Sequence, residues 1–355
     1  MPEHLHNSNG NTHLVSLTKL VKDAFSIETE VDFSEKELLE IISCLTLKDE
    51  IESGYSDKFH LHHEENIVKH VNHILSSKIS GYKKEKSFTI YFTHDVDWVK
   101  INTPLSYLKS GLSGTLRKIK WFSFSELYHR RNLIRFTDEL IAFEKIHGFH
   151  SIFFLPSSNY DPFNRYGSRV DLNDKTSKDF FQMLLSNNVG IGLHGSYHAR
   201  YKNSYAEEAK KLAEALNREI TMHRNHYLNF DPANLWQQME NAGIRYDFSI
   251  GYIYDQGLRT TLPFSFKGLD VLQNRISNVT GIPLLFMDLP DTLTDKEKTI
   301  REFRENIQIL KTYNGTASIL FHAENLCLYP ELFELYSQII DICKSEGAVI
   351  NPELK

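Results

Sequence analysis

Cysteine is scarce in this chain: Cys44, Cys327 and Cys343 are the only three in 355 residues. An odd, widely spaced set excludes a disulfide framework and a thiolate zinc site, and it argues for a reducing compartment. An excess of positive charge is also missing. Lys and Arg total 40 against 46 Asp and Glu, a net charge of -6, so nucleic-acid binding by the whole surface is not expected. No apolar run approaches the roughly 18–20 residues of a membrane span. The opening MPEHLHNSNGNTHLVSLTK has no basic segment followed by an apolar one, so it does not read as a signal peptide. Internal repeats and low-complexity linkers are absent too. The expectation is a soluble, cytoplasmic protein with no transmembrane segment. What is present is 41% hydrophobic residues, enough for one large α/β domain with an appendage.

The stretch Thr93-His-Asp-Val-Asp97 organises the rest. It follows Ser87-Phe-Thr-Ile-Tyr-Phe, a β-branched and aromatic run that reads as a buried strand. Asp95 and Asp97 lie two apart, so in extended backbone both carboxylates point to one side. Two buried carboxylates at one spot need a cation or a shared proton to compensate them. The alternative is a strand end whose solvated acids cap a following helix.

Residues 1–80 read as a small helical extension. Ser34 and Glu37 have the spacing of a capping box ahead of Leu38, Leu39, Ile41, Ile42 and Leu45. The His-rich stretch from His60 to His73 reads as a polar helix face, since no second cluster completes a metal site. Between about 98 and 131 lies a long connection carrying Lys100, Lys109, Arg117, Lys118, Lys120, Arg130 and Arg131 against the single acid Glu126. Trp121, Phe122 and Phe124 are interleaved. This basic insertion is suited either to a phosphorylated substrate or anionic membrane surface, or to packing on the barrel with solvated charges.

From Leu133 the chain alternates strand and helix. Helices are expected over Leu133–His147, Asp174–Asn187, Ser204–Arg218, Pro232–Ala242, Asp295–Tyr313 and Pro330–Ser345. Strands are expected at Ser151–Leu155, Gly190–His194, Ile220–Tyr227, Tyr246–Ile250, Pro283–Met287 and Ala317–His322, with a last one at Ala348–Ile350. Repeated units of this length mean parallel strands with crossover helices. Seven or eight of them suggest a closed or nearly closed barrel spanning residues 81–355.

Polar residues collect at the carboxyl ends of these strands, the rim where barrels of this type do chemistry. His194 and His198, in His194-Gly-Ser-Tyr-His198, have the i, i+4 spacing that brings two imidazoles to one face of a helical turn. Arg224 ends the next strand in Arg224-Asn-His-Tyr-Leu228, and His322 ends Leu320-Phe-His322. An arginine beside a carboxylate keeps it ionised and fixes its orientation.

The set THDVD, HGSYH, RNHYL, DFSIGY and LFH resembles the polysaccharide deacetylase family, also called the NodB-homology domain or carbohydrate esterase family 4, over about Phe88 to the C-terminus. The THDVD wording is similar to its intracellular, surface-polysaccharide branch. The resemblance implies a distorted (β/α) barrel that removes acyl groups from sugars with a divalent metal, most commonly Zn2+. By the same resemblance, Asp97, His194 and His198 would be the metal ligands, Asp95 the base, His322 the acid and Arg224 the residue holding the base. The Tyr227 N–H would serve the oxyanion. The family's proline is replaced by His226 and its tryptophan is absent, so His226, Asp247 and Tyr252 are expected around the substrate. Asp247 would also be placed to pair with Arg224 or to cap a helix.

Two imidazoles and one carboxylate leave a zinc position open, as catalytic sites do. The expected activity is N-deacetylation of an amino sugar, a precursor of a surface polysaccharide that is nucleotide- or lipid-linked. The alternatives are a deformylase of a formamido sugar and a catalytically silent glycan-binding module on the same barrel.

Overall fold

The computed structural model describes residues 10–25, 27, 31–46, 73–75, 87–99, 133–157, 170–229, 231, 235–253, 255–260, 262–270, 273, 275–288 and 292–354. The basic insertion, apart from Trp98 and Val99, and the His-rich stretch, apart from His73, lie outside the described residues.

Two helices come first, α1 (Gly10–Ala24) and α2 (Glu35–Thr46). The capping box at the start of α2 is present. Ser34 N–H donates to Glu37 Oε2 at 2.7 Å, and Glu37 N–H donates to Ser34 Oγ at 3.4 Å, which satisfies two otherwise orphaned amides. The alternating part begins with β1 (Thr89–Asp95), α3 (Leu133–Ile146), β2 (Ile152–Pro156), α4 (Lys175–Ser186) and β3 (Gly190–Gly195). A single turn, α5 (Ala199–Lys202), leads to α6 (Tyr205–Leu216) and β4 (Met222–Asn225). After a 3₁₀ turn (His226–Leu228) come α7 (Leu235–Asn241), β5 (Tyr246–Asp247), β6 (Phe266–Asp270), β7 (Arg275–Gly281) and β8 (Leu284–Met287). The chain continues with α8 (Lys296–Tyr313), β9 (Thr316–Leu320), α9 (Ala323–Leu328), α10 (Pro330–Ser345) and β10 (Val349–Ile350).

The ends of these helices follow local chemistry. Asp174 caps α4 by accepting from Thr176 and Ser177 N–H, and Asp295 caps α8 by accepting from Lys298 N–H. Gly148, at φ +85, supplies the left-handed residue that lets the chain leave α3 and turn into β2.

The strands make one curled sheet in the order β6-β7-β5-β4-β3-β2-β1-β9-β8, with β10 paired to β1. All pairs are parallel except the antiparallel β6–β7 hairpin. This is the expected α/β fold, a distorted (β/α) barrel. Among the described residues it stays open, with β6 and β8 as the two ends of the strand order. Central strands are buried on both faces, as crossover helices require: every β1 residue after Thr89 is buried. Helices α1 and α2 contact β6, and α1 also contacts β7. Their apolar residues Leu17, Val21, Leu38 and Ile41 share one core cluster with Phe266 and Leu269.

Three local features differ from the sequence expectation. The strand expected to reach Tyr227 ends at Asn225. The strand expected over Tyr246–Ile250 is paired only at Tyr246–Asp247. The β6–β7 hairpin was not expected, because β7, RISNVTG, mixes polar and apolar residues as an edge strand does.

At the other end of the chain, Asn351 follows β10 and locks β1. Its Oδ1 accepts from Phe92 N–H at 2.7 Å, and its Nδ2 donates to Phe92 O at 3.0 Å. Among the described residues no helix is long and apolar enough to cross a membrane.

Candidate active site

Asp95 closes β1 and is 3% exposed. Arg224, on β4 and fully buried, aims its guanidinium across the barrel. Nη1 donates to Asp95 Oδ1 at 3.1 Å and to Thr93 Oγ1 at 2.7 Å, and Nε donates to Phe248 O at 3.0 Å. The guanidinium carbon lies 4.6 Å from the ring centroid of Phe154 and 5.7 Å from that of Phe248, a cation–π cradle in place of water. Burial pulls the arginine's pKa down, against the opposing pull of Asp95. These hydrogen bonds fix the guanidinium, and the one from Nη1 orients Asp95, whose Oδ2 is left outside the Arg224 pair.

Two residues on, Asp97 Oδ1 lies 3.2 Å from His194 Nε2 and 3.5 Å from His226 Nε2. One donor atom from each of these residues falls within 4.8 Å of the others. Asp97 Oδ1 and His194 Nε2 are buried and make no hydrogen bond, a costly arrangement unless something else satisfies them. Ligand atoms about 2.0–2.2 Å from a tetrahedral cation lie roughly 3.3–3.6 Å apart. The spacings of 3.2 and 3.5 Å to Asp97 Oδ1 lie close to that range, so these atoms are placed to hold an ion between them. His194 is prepared for that role: its Nδ1–H donates to Arg224 O at 3.1 Å, which leaves the Nε2 lone pair free. Burial alone would raise the Asp97 pKa, but the imidazoles of His226 and His194 beside it overcome that and hold the carboxyl well below its ordinary range.

The group that the structure brings close enough to hold a cation is thus Asp97, His194 and His226. His198 is not in it, because the premise of the i, i+4 spacing is absent: His194 is still in strand β3, and His198 only precedes the first turn of α5. His198 is half-buried there, with its ring 5.2 Å from that of Tyr197.

His322 follows β9 across the site. Its Nδ1–H donates to Asp288 Oδ1 at 2.6 Å, and its backbone N–H reaches both Asp288 oxygens at 3.1 Å. Asn325 Nδ2 adds a bond to Asp288 Oδ2 at 3.0 Å. Burial works to lower the His322 pKa, yet Asp288 raises it well above the usual histidine value. The Asp288 carboxylate therefore favours the protonated form of His322. Glu324, two residues on and 6% exposed, accepts from the Asp97 N–H at 3.2 Å. Burial first, and then the Asp97 charge, push its carboxyl well above the ordinary range.

Asp288 and Glu324 were missed in the sequence. Asp288 carried a usable signal, since it follows the apolar run Pro283–Met287 as Asp95 follows Phe88–Phe92. Glu324 carries no signal in the sequence beyond that of an acid in the first turn of a helix. Asp247 accepts hydrogen bonds from His223 Nδ1 at 2.9 Å and from Ser249 Oγ at 2.7 Å rather than from Arg224. The register explains this: Asp247 lies opposite His223, and neighbours on a strand point to opposite faces. Tyr252 is buried in the loop after β5, 8% exposed. Tyr227 is 40% exposed beside His226, their rings 4.7 Å apart.

No family model matches the sequence, and no curated protein matches it. Solved structures do resemble it. The chitin deacetylase of the fungal pathogen Colletotrichum lindemuthianum is 14% identical, covers 74% of this chain and 84% of its own, and has a TM-score of 0.40. A Mycobacterium smegmatis protein provisionally called a polysaccharide deacetylase is 13% identical over 77% of this chain and 96% of its own, with a TM-score of 0.42. A carbohydrate esterase family 4 pseudoenzyme from Bacillus anthracis is 10% identical over 74% of this chain, with a TM-score of 0.38. The chain spans 63% of that protein's length. At these scores the likeness carries no functional weight, and the reading of the site rests on its own geometry.

Proposed function

We propose that this protein is a metal-dependent carbohydrate N-deacetylase of the polysaccharide deacetylase type, acting on the N-acetyl group of an amino sugar. The observation that carries the reading is the convergence of three parts at one rim. Asp97, His194 and His226 form a cation-sized gap. An arginine-held carboxylate, Asp95, stands on one side of it, and an aspartate-held imidazole, His322, closes the other part of the rim.

The donor set of two nitrogens and one oxygen suits zinc. Such an ion, when bound, supplies Lewis acidity and makes water nucleophilic near neutral pH. Asp95 Oδ2 takes the proton of the attacking water, and Arg224 keeps Asp95 ionised and aimed. The acyl carbon gains a C–O bond, and the Tyr227 N–H serves the developing oxyanion. The C–N bond then breaks as His322 delivers a proton to the departing nitrogen. A well-placed acid of this kind contributes about 10² to 10⁴ in rate. An amine leaves poorly without it, so the His322–Asp288 pair favours amide over ester substrates. In this reading Asp247 supports β4 and β5 through His223 and Ser249, and Tyr252 lines the wall near the substrate.

We place the reaction in the cytoplasm, on an activated amino sugar destined for a surface polysaccharide. None of the cysteines is in a disulfide, in keeping with a reducing compartment. A nucleotide or lipid phosphate on the substrate would give the basic 98–131 insertion a role. Residues 1–80 would then be a helical extension of the catalytic barrel.

The test is metal content and acetate release on N-acetylhexosamine derivatives, for wild type, His226→Ala, His198→Ala and Asp95→Asn. The reading expects one zinc per chain, lost in His226→Ala and kept in the other two, with turnover lost in Asp95→Asn. Bound metal without turnover on acetyl or formyl substrates would favour a silent glycan-binding module. Release of formate alone would make the protein a deformylase.

A further inference from the structure

We infer that Asn229, backed by Arg200, is a positioning residue that sets cation affinity by holding His226 on a strained turn. The inference rests on the cation reading above. His226 sits in the single 3₁₀ turn after β4, and the next two residues are both left-handed: Tyr227 at φ 58 and Leu228 at φ 46. Residues with a Cβ avoid that region, where glycine or asparagine would be the ordinary choice. A conformation of this kind persists only where its surroundings over-determine it.

The surroundings do so here through two asparagines, one on each side of the turn. Asn225 takes the Tyr205 hydroxyl on Oδ1 at 2.8 Å, and its backbone N–H donates to Ser249 Oγ at 2.9 Å. Its Nδ2 then donates across the turn to Asn229 O at 3.1 Å. Asn229 in turn ties this loop to the one leaving β3. Its Nδ2 donates to Tyr197 O at 2.9 Å, and its Oδ1 accepts from Arg200 Nη1 at 2.8 Å. Asn229 lies three residues beyond His226, and Tyr197 three beyond His194. One side chain therefore fixes the loop that carries His226 against the loop that follows His194 at the end of β3. The His194–Arg200 segment, which the sequence singled out for His198, holds the turn that presents His226. Leu228 adds apolar anchoring against Leu284, Met287 and Leu320, which is the competing account of what holds the turn.

Without the Asn229 ties, Tyr227 and Leu228 are free to return to right-handed backbone, and His226 swings away from Asp97. Apparent affinity falls in proportion to the fraction of molecules still holding the competent geometry. Loss of a residue that orients a ligand costs about 10- to 100-fold in metal affinity.

The experiment titrates Zn2+ against a chromophoric chelator with wild type, Asn229→Ala and Asn229→Ala/Tyr227→Gly, and follows amide hydrogen exchange over residues 226–228 in metal-free protein. The expected result is a Kd raised about 10- to 100-fold in Asn229→Ala, with faster exchange over the turn. The added glycine, at ease at φ 58, recovers part of that affinity. A wild-type Kd in Asn229→Ala overturns the inference and leaves Leu228 as the anchor. Unchanged exchange over 226–228 overturns it as well, even if no form of the protein binds zinc. Failure of the wild type to bind zinc, with exchange still faster in Asn229→Ala, sinks the cation reading and keeps the clamp.

Discussion

Replacing Asp288 with Asn tests the acid side of the site, because the substitution keeps shape and removes charge. Asp288 receives the His322 imidazole at 2.6 Å, the His322 N–H and the Asn325 amide. The asparagine retains one acceptor oxygen and turns an NH₂ toward groups that are themselves donors. If His322 stayed charged it would be a buried cation without its partner, a loss of about 3–5 kcal/mol. The ring escapes by giving up its proton, so the expected loss is that of charge-assisted hydrogen bonds, about 1.5–3 kcal/mol. The sign with pH follows from linkage. The native His322 pKa lies well above its unfolded value of about 6.5. Its contribution is therefore complete below pH ~6.5 and is lost as pH rises through the native value. Urea denaturation of metal-free wild type at a series of pH values above 6.5 should show stability falling with pH. In Asp288→Asn that slope should flatten, with only the weaker pulls of Asp97 and Glu324 remaining. Deacetylation by the same variant should fall about 10² to 10⁴-fold at pH 8, with less loss toward acid pH. Identical pH slopes in the two proteins, or undiminished turnover at pH 8, would refute the pairing as the source of the acid.

Two further outcomes are expected. His94 lies fully buried between Phe321 O at 2.9 Å and Glu144 Oε1 at 2.8 Å, and Glu144 also accepts from Ser151 and Tyr336. His94→Asn should lower unfolding free energy by about 3–5 kcal/mol in urea while metal stoichiometry stays at the wild-type value. A β-carbon on Gly268 would lie 2.1 Å from Trp236 Cδ2, and that indole is itself buried. Gly268→Ala should therefore destabilise by about 1–3 kcal/mol or more, and a midpoint within error of wild type would mean the core yields there.

The strand Thr89–Asp95 and its two acids were legible because apolar patterning and acid spacing are local properties. Asp95, His322 and Arg224 were picked out by resemblance, and the structure places Asp95 and Arg224 in contact and His322 just past the end of β9. The choice of His226 over His198 was not, since it depends on where β3 stops and on a backbone turn that neither Tyr227 nor Leu228 advertises. Asp247 was read as a partner of Arg224 or a helix cap, but the pairing of β4 with β5 sets it opposite His223. Partners 30 to 40 residues apart, such as Asp288 and His322, need the sheet order before they can be matched, and composition does not carry that order. The β6–β7 hairpin was obscured by its mixed edge-strand pattern.

The bond between Phe92 and Asn351 joins residues 259 positions apart. At about 5–20 residues per second of synthesis, roughly 13–50 s separate their emergence from the ribosome. Through that interval the nascent strand ending in Asp95 carries backbone groups that only later segments can cover. Truncated or stalled chains should for that reason be substrates for chaperones and proteases, and a stop codon before position 349 would leave β1 without the β10 and Asn351 contacts that cover it.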